Sequence, residues 1–195
     1  MALLNRWTCF NVKGWTGVWL IASVWLLSAG SEASAKTAIS REYEIKTVFL
    51  FNFAQFVDWP PEAFANPQAP LVIGVLGDDP FDGYLDETVR GEKVNNRPFV
   101  VRRYRRAEDI DVCHVLFIGR TEHRKLEHIL AVLKGRSILT VGDMEGFARD
   151  GGIIRFVTEN NRIRFRIDED AAQSVHLIIS SKLLRLAEIV APGKD

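Results

Sequence analysis

The sequence predicts a single α/β domain with a largely parallel central sheet flanked by helices and an antiparallel hairpin near the C-terminus. Three observations predict it. Uncharged apolar runs at 71–76, 112–118 and 138–141 each close on a glycine and a polar residue: Gly77-Asp78, Gly119-Arg120 and Gly142-Asp143. Continuous apolar runs bounded by turn residues are the mark of strands buried on both faces, hence of a parallel sheet covered by helices. Stretches of helical periodicity precede and separate these runs, and strict two-residue alternation appears only between Gly151 and Asp168.

The first 35 residues differ in kind from the rest. Arg6 and Lys13 open a basic start, an uncharged apolar run extends from Gly14 to Ala29, and Ala33-Ser34-Ala35 offers the small residues of a signal-peptidase site. The segment reads as an export signal cut after Ala35. The competing reading is an uncleaved anchor, because a span needs about 20 apolar residues and the run falls a little short. The remainder, 36–195, is 160 residues, the size of one domain with its own core. It keeps 23 basic and 24 acidic residues, a balance that gives no electrostatic reason to bind nucleic acid. Cys9 leaves with the signal, so Cys113 has no intramolecular disulfide partner.

From Ser40 to Val57, Tyr43, Ile45, Val48, Phe49, Phe51, Phe53, Phe56 and Val57 recur mostly at three- and four-residue steps, an amphipathic helix ended by Trp59-Pro60-Pro61. Phe49, Phe53 and Phe56 are either core or an aromatic face for a partner. The apolar runs alternate with predicted cover helices at 81–89 and 122–133, and the mixed segment Phe99 to Tyr104 suits a strand nearer the edge. Asn160-Asn161 is a two-residue turn between alternating strands. Beyond it, 168–170 opens a short helix, 177–179 forms a strand, and Ser180 or Ser181 caps a helix running through Leu183, Leu184, Leu186 and Ile189.

Two groups of residues are candidates for binding. Strands that end in glycine and a polar residue gather Asp78, Asp79, Arg120, Thr121 and Asp143 along one sheet edge, where open α/β sheets hold ligands. The same residues also serve as turn and cap chemistry. Arg155, Arg162, Arg164 and Arg166 fall on the hairpin face opposite its apolar residues, and 102–106 adds a basic strand end. These are either solvated charge or a docking surface for an acidic segment, since guanidinium forks hold carboxylates bidentately.

Nothing in the sequence assembles a reactive centre. There is no G-x-S-x-G elbow, and His123 and His128, five apart, sit on different helix faces. Cys113 and His114 point to opposite sides of a strand and cannot share a ligand. The run at 112–118 ends in Gly119-Arg120-Thr121, without the aspartate that a phosphoacceptor domain would need. The expectation is a protein that is not an enzyme and holds neither cofactor nor metal.

The chain resembles the YfiR-like periplasmic proteins. The pieces that carry the resemblance are Arg41-Glu42-Tyr43-Glu44-Ile45-Lys46 with Phe49-Leu50-Phe51-Asn52-Phe53-Ala54 and Trp59-Pro60; Gly74-Val75-Leu76-Gly77-Asp78-Asp79-Pro80-Phe81; Cys113-His114-Val115-Leu116-Phe117-Ile118; Leu139-Thr140-Val141-Gly142-Asp143 with Gly146-Phe147; Gly151-Gly152-Ile153-Ile154; and Ile163-Arg164-Phe165-Arg166-Ile167 with Ser180-Ser181-Lys182-Leu183-Leu184. The resemblance implies a periplasmic repressor that binds the sensor region of an inner-membrane diguanylate cyclase, forms a homodimer, and is sequestered in some systems by an outer-membrane lipoprotein. Disulfides steady some such proteins; the unpaired Cys113 departs from that pattern. A small-ligand carrier using the glycine-lined strand edge is the alternative.

Overall fold

The computed structural model describes residues 41–194; the predicted export signal and its cleavage site lie outside the described residues. The described residues open with helix α1, residues 41–55. It continues through β1 (Val57–Asp58), β2 (Leu71–Leu76), α2 (Tyr84–Val89), β3 (Lys93–Val94), β4 (Arg97–Tyr104), β5 (Val115–Ile118), α3 (Leu126–Leu133) and β6 (Leu139–Gly142). The C-terminal third holds β7 (Ile154–Glu159), β8 (Arg162–Asp168), α4 (Glu169–Ser174), β9 (Ile178–Ile179), α5 (Ser181–Leu184) and β10 (Glu188–Val190).

Eight strands form the central sheet in the order β10-β8-β7-β6-β5-β2-β4-β3. Pairing is parallel from β4 through β2, β5 and β6 to β7, and again between β8 and β10. It is antiparallel only at β3–β4 and in the β7–β8 hairpin. Every residue of β2, β5 and β6 is buried, as the uninterrupted apolar runs predict. One sheet face, with Leu71, Ile73, Val75, Val115, Phe117, Leu139 and Val141, packs under α1 and α2. The other, with Leu76, Leu116 and Ile118, packs under α3 together with Phe147.

α1 is fixed by its rings. Phe53 is fully buried, with its centroid 5.6 Å from Phe156 and 5.1 Å from Phe165, both on the hairpin. Phe49 lies 5.5 Å from Phe165. Burying one such ring contributes roughly 1.5 to 3 kcal/mol. The hairpin depends on these contacts because β7 pairs with β6 only through Val141–Ile154 and Gly142–Arg155. Asn160 and Asn161 turn the hairpin with positive φ of 49° and 58°.

Several predicted boundaries move. α1 stops at residue 55, before Trp59-Pro60, because Val57 and Asp58 pair antiparallel with Ile179 and Ile178 in a separate two-stranded sheet. The predicted strand at 177–179 is β9 of that small sheet. The predicted strand at 112–118 is regular only from Val115, although the backbone of His114 already bonds Val72 and Leu139 on either side. The cover predicted at 81–89 begins as α-helix at Tyr84, after positive φ at Asp82 and Gly83. The cover predicted at 122–133 is a 3-10 turn over Arg120–Lys125 followed by α3.

The predicted C-terminal helix is the largest correction. α5 ends at Leu184, and Ile189 lies in β10, whose edge position beside β8 is secured by Glu188 bonding Arg166 at 2.9 Å. Pairing along an otherwise open strand satisfies backbone groups that a short helix would leave exposed.

Candidate functional site

The carboxyl ends of the parallel strands place Gly77, Gly119 and Asp143 along one edge, as expected of this sheet type. Asp143, immediately after β6, is the centre of the arrangement. Its Oδ2 accepts from Tyr43 Oη at 2.8 Å and from Lys46 Nζ at 2.5 Å, and its Oδ1 lies 3.0 Å from Arg120 Nε. Lys46 and Asp143 side chains are each 1% exposed, whereas Arg120 is 61% exposed. Lys46 also pairs with Glu42 at 2.6 Å, one helical turn earlier, and its ammonium sits 4.3 Å from the Tyr43 ring centroid.

Burial alone would raise the Asp143 carboxyl, but Lys46, the Tyr43 hydroxyl and Arg120 together hold it below the ordinary aspartate value. Burial and the neighbouring Asp143 push the Tyr43 phenol up, so it stays a donor. The result is a charged, hydrogen-bonded cluster that joins the first turns of α1 to the sheet edge. Its outer rim forms an open depression of about 430 Å³ lined by Arg120, His123, Asp143, Met144, Glu145 and Arg155.

The structure thus brings Arg120, Asp143 and Arg155 together from two groups that the sequence kept apart. Asp79 is used elsewhere: it caps the turn at Phe81 with a 2.8 Å bond and pairs with Arg103 at 2.6 Å. Asp78 is exposed at the strand end, and Thr121 is exposed beside Arg120. Phe53 is core, and Phe49 and Phe56 are half-buried against it; the outward positions of α1 are Ile45 and Val48, each 50% exposed. Arg162 and Arg164 are exposed, while Arg155 and Arg166 are half-buried.

Sequence reasoning placed Tyr43 on the apolar face of the first helix and set His123 aside as a metal ligand, and gave neither of them nor Lys46 a part in this site. The available signal was a lysine and a glutamate four apart on an otherwise aromatic helix, which reads as an ordinary surface pair until the fold brings Asp143 over it.

Among the described residues no group of three or more His, Cys, Asp or Glu is arranged to hold a metal. Nor is any helix among them long and apolar enough to cross a membrane.

The signature of one family runs over residues 43–188, from Tyr43 at the ionised cluster to Glu188 on the edge strand. The chain belongs to the YfiR/HmsC-like family. The YfiR/HmsC-like proteins are periplasmic, non-catalytic regulators of diguanylate cyclases in general. No curated protein matches the chain. In this YfiR/HmsC-like chain Tyr43 and Lys46 bond Asp143 in the interior, and Arg120 pairs with it from the exposed side.

Proposed function

We propose that this protein represses an inner-membrane diguanylate cyclase by binding the cyclase's periplasmic sensor region. Membership of a family of periplasmic cyclase regulators carries the reading. The hairpin arginines Arg155, Arg162, Arg164 and Arg166 are the contact surface, and Phe49, Phe53 and Phe56 hold α1 behind it. The chain acts after removal of residues 1–35, as a homodimer, without cofactor and without catalysis. An outer-membrane lipoprotein is the second partner where the envelope signals stress.

Two measurements test this. Deletion raises cellular cyclic di-GMP, and the tagged chain retains a membrane cyclase from envelope extracts. Unchanged cyclic di-GMP with no cyclase retained would overturn the reading.

The depression rimmed by Arg120 and Asp143 supports a second reading, a periplasmic small-ligand carrier. Thermal stabilisation by a metabolite, lost in Arg120→Ala, distinguishes it.

A further inference from the structure

On the hairpin face turned away from α1, the register sets Arg155 opposite Arg166 and Val157 opposite Arg164. Like charges directly across a strand pair cost stability. Arg166 is offset by Glu188 at 2.9 Å and Glu159 at 3.8 Å. Glu159 stands opposite Arg162 in the register, yet among the described residues neither the Arg162 nor the Arg164 guanidinium makes an ion pair or a hydrogen bond.

The basic end of β4 is the internal comparison. There Arg102 pairs with Asp111 at 2.8 Å, Arg103 with Asp79 at 2.6 Å and with Asp86, and Arg106 with Asp109 at 2.6 Å. Nearby acids occupy three of the four arginines of that cluster, and Arg105 alone makes no ion pair among the described residues.

At the Arg162 and Arg164 end the hairpin face is also exposed, while Arg155 and Arg166 are half-buried. The apolar layer beneath α3 includes residues of β2, β4 and β5 and none from β7 or β8. What remains is a sheet surface on which Arg162, Arg164 and Arg166 project to one side, roughly 7 Å apart along the strand. Arg155 continues the row into the depression that Arg120 and His123 line.

We infer that this face docks an acidic segment of a protein partner, with carboxylates paired to Arg162 and Arg164. The inference deepens the hairpin reading above by fixing the partner's chemistry. Charge complementarity selects the occupant: guanidinium forks in a row match side-chain carboxylates presented along a chain. An alternate-residue row has the period of an extended peptide, in which every second side chain faces the same way.

The test uses a short fluorescent peptide alternating glutamate and threonine, the same peptide with glutamine for glutamate, and vesicles of phosphatidylglycerol. The purified chain binds the acidic peptide and not the glutamine peptide, and binding weakens as salt is raised. Arg162→Glu with Arg164→Glu lowers affinity about tenfold or more. Arg105→Glu with Arg124→Glu, an equal charge change at exposed positions elsewhere, leaves it unchanged. Unaltered thermal melting shows that both variants fold.

Equal binding by the hairpin variant, or binding to vesicles with none to the peptide, would overturn the inference. A cyclase sensor region that binds wild type and hairpin variant alike removes the docking face and leaves cyclase repression standing. Arginine-dependent peptide binding with no cyclase bound does the reverse.

Discussion

Lys46 and Asp143, 97 residues apart in the chain, share one buried ion pair that fastens α1 to the carboxyl edge of the sheet. Taking two charges out of water is costly, and removing either partner leaves the other with only a more exposed counter-charge, Glu42 for Lys46 and Arg120 for Asp143.

Lys46→Met therefore destabilises the fold by about 3 kcal/mol. Adding Asp143→Leu recovers part of that loss, because no lone buried charge remains. Urea unfolding of the two single variants and the double variant checks the non-additivity. Strict addition of the single effects would mean that the pair is not coupled.

The pH dependence of stability has two separable limbs. His114 Nδ1 accepts from the Val72 amide at 3.0 Å and its Nε2 lies 3.0 Å from the Ala63 carbonyl, an arrangement that fits the neutral ring. Burial pushes its pKa down to about 4. In the unfolded chain it titrates near the ordinary value of about 6.5. The unfolded state thus takes up the proton first, and stability present above about pH 6.5 falls as pH drops toward 4, by up to about 1.4 kcal/mol per unit. Asp143, whose folded carboxyl is depressed, contributes stability that is lost only below the ordinary aspartate value. Thermal melts from pH 7 to 4 show the first limb, and His114→Gln flattens it.

Cys113 is chemically silent in the folded protein. It is buried, its thiol is pushed up to about 12 chiefly by desolvation, and its Sγ lies against the place a side chain at Gly74 would occupy. An added Cβ at Gly74 would come within 2.8 Å of that sulfur and 2.9 Å of Leu116 and Tyr104. Gly74→Ala costs about 1 to 3 kcal/mol, and Cys113→Ala in the same chain relieves part of it. Thiol reagents label Cys113 only at the rate of unfolding; rapid native labelling would contradict the burial.

The ring of Phe147 lies flat on two glycines. A Cβ at Gly142 would fall 2.7 Å from it and one at Gly152 2.2 Å. Gly152→Ala is more damaging than Gly74→Ala, because the obstacle is a fully buried ring with no room to turn. Chemical denaturation of the two variants ranks them, and Phe147→Leu combined with Gly152→Ala restores part of the loss.

The parallel core was legible because β2, β5 and β6 are apolar on both faces, a pattern that needs no knowledge of neighbours. Asn160-Asn161 was legible for its tolerance of positive φ, and Asn95-Asn96, with φ of 49° and 65°, carries the same signal for the β3–β4 turn that was passed over. Ile189 was misplaced because leucines at helical spacing satisfy the helix pattern, and only pairing with Ile167 across the sheet makes it a strand residue. Arg120 and Asp143 were legible from their places at strand ends. Lys46 was not, since its role is set by a contact far along the chain.

The hairpin is cantilevered. Two residue pairs tie β7 to β6, three tie β8 to β10, and Phe49 and Phe53 of α1 brace the hairpin from behind. A load applied at Arg164 is therefore transmitted through Phe165 into α1, and from there through Lys46 to the strand edge. Hairpin and first helix form one mechanical unit, and amide exchange slows in both when either is gripped.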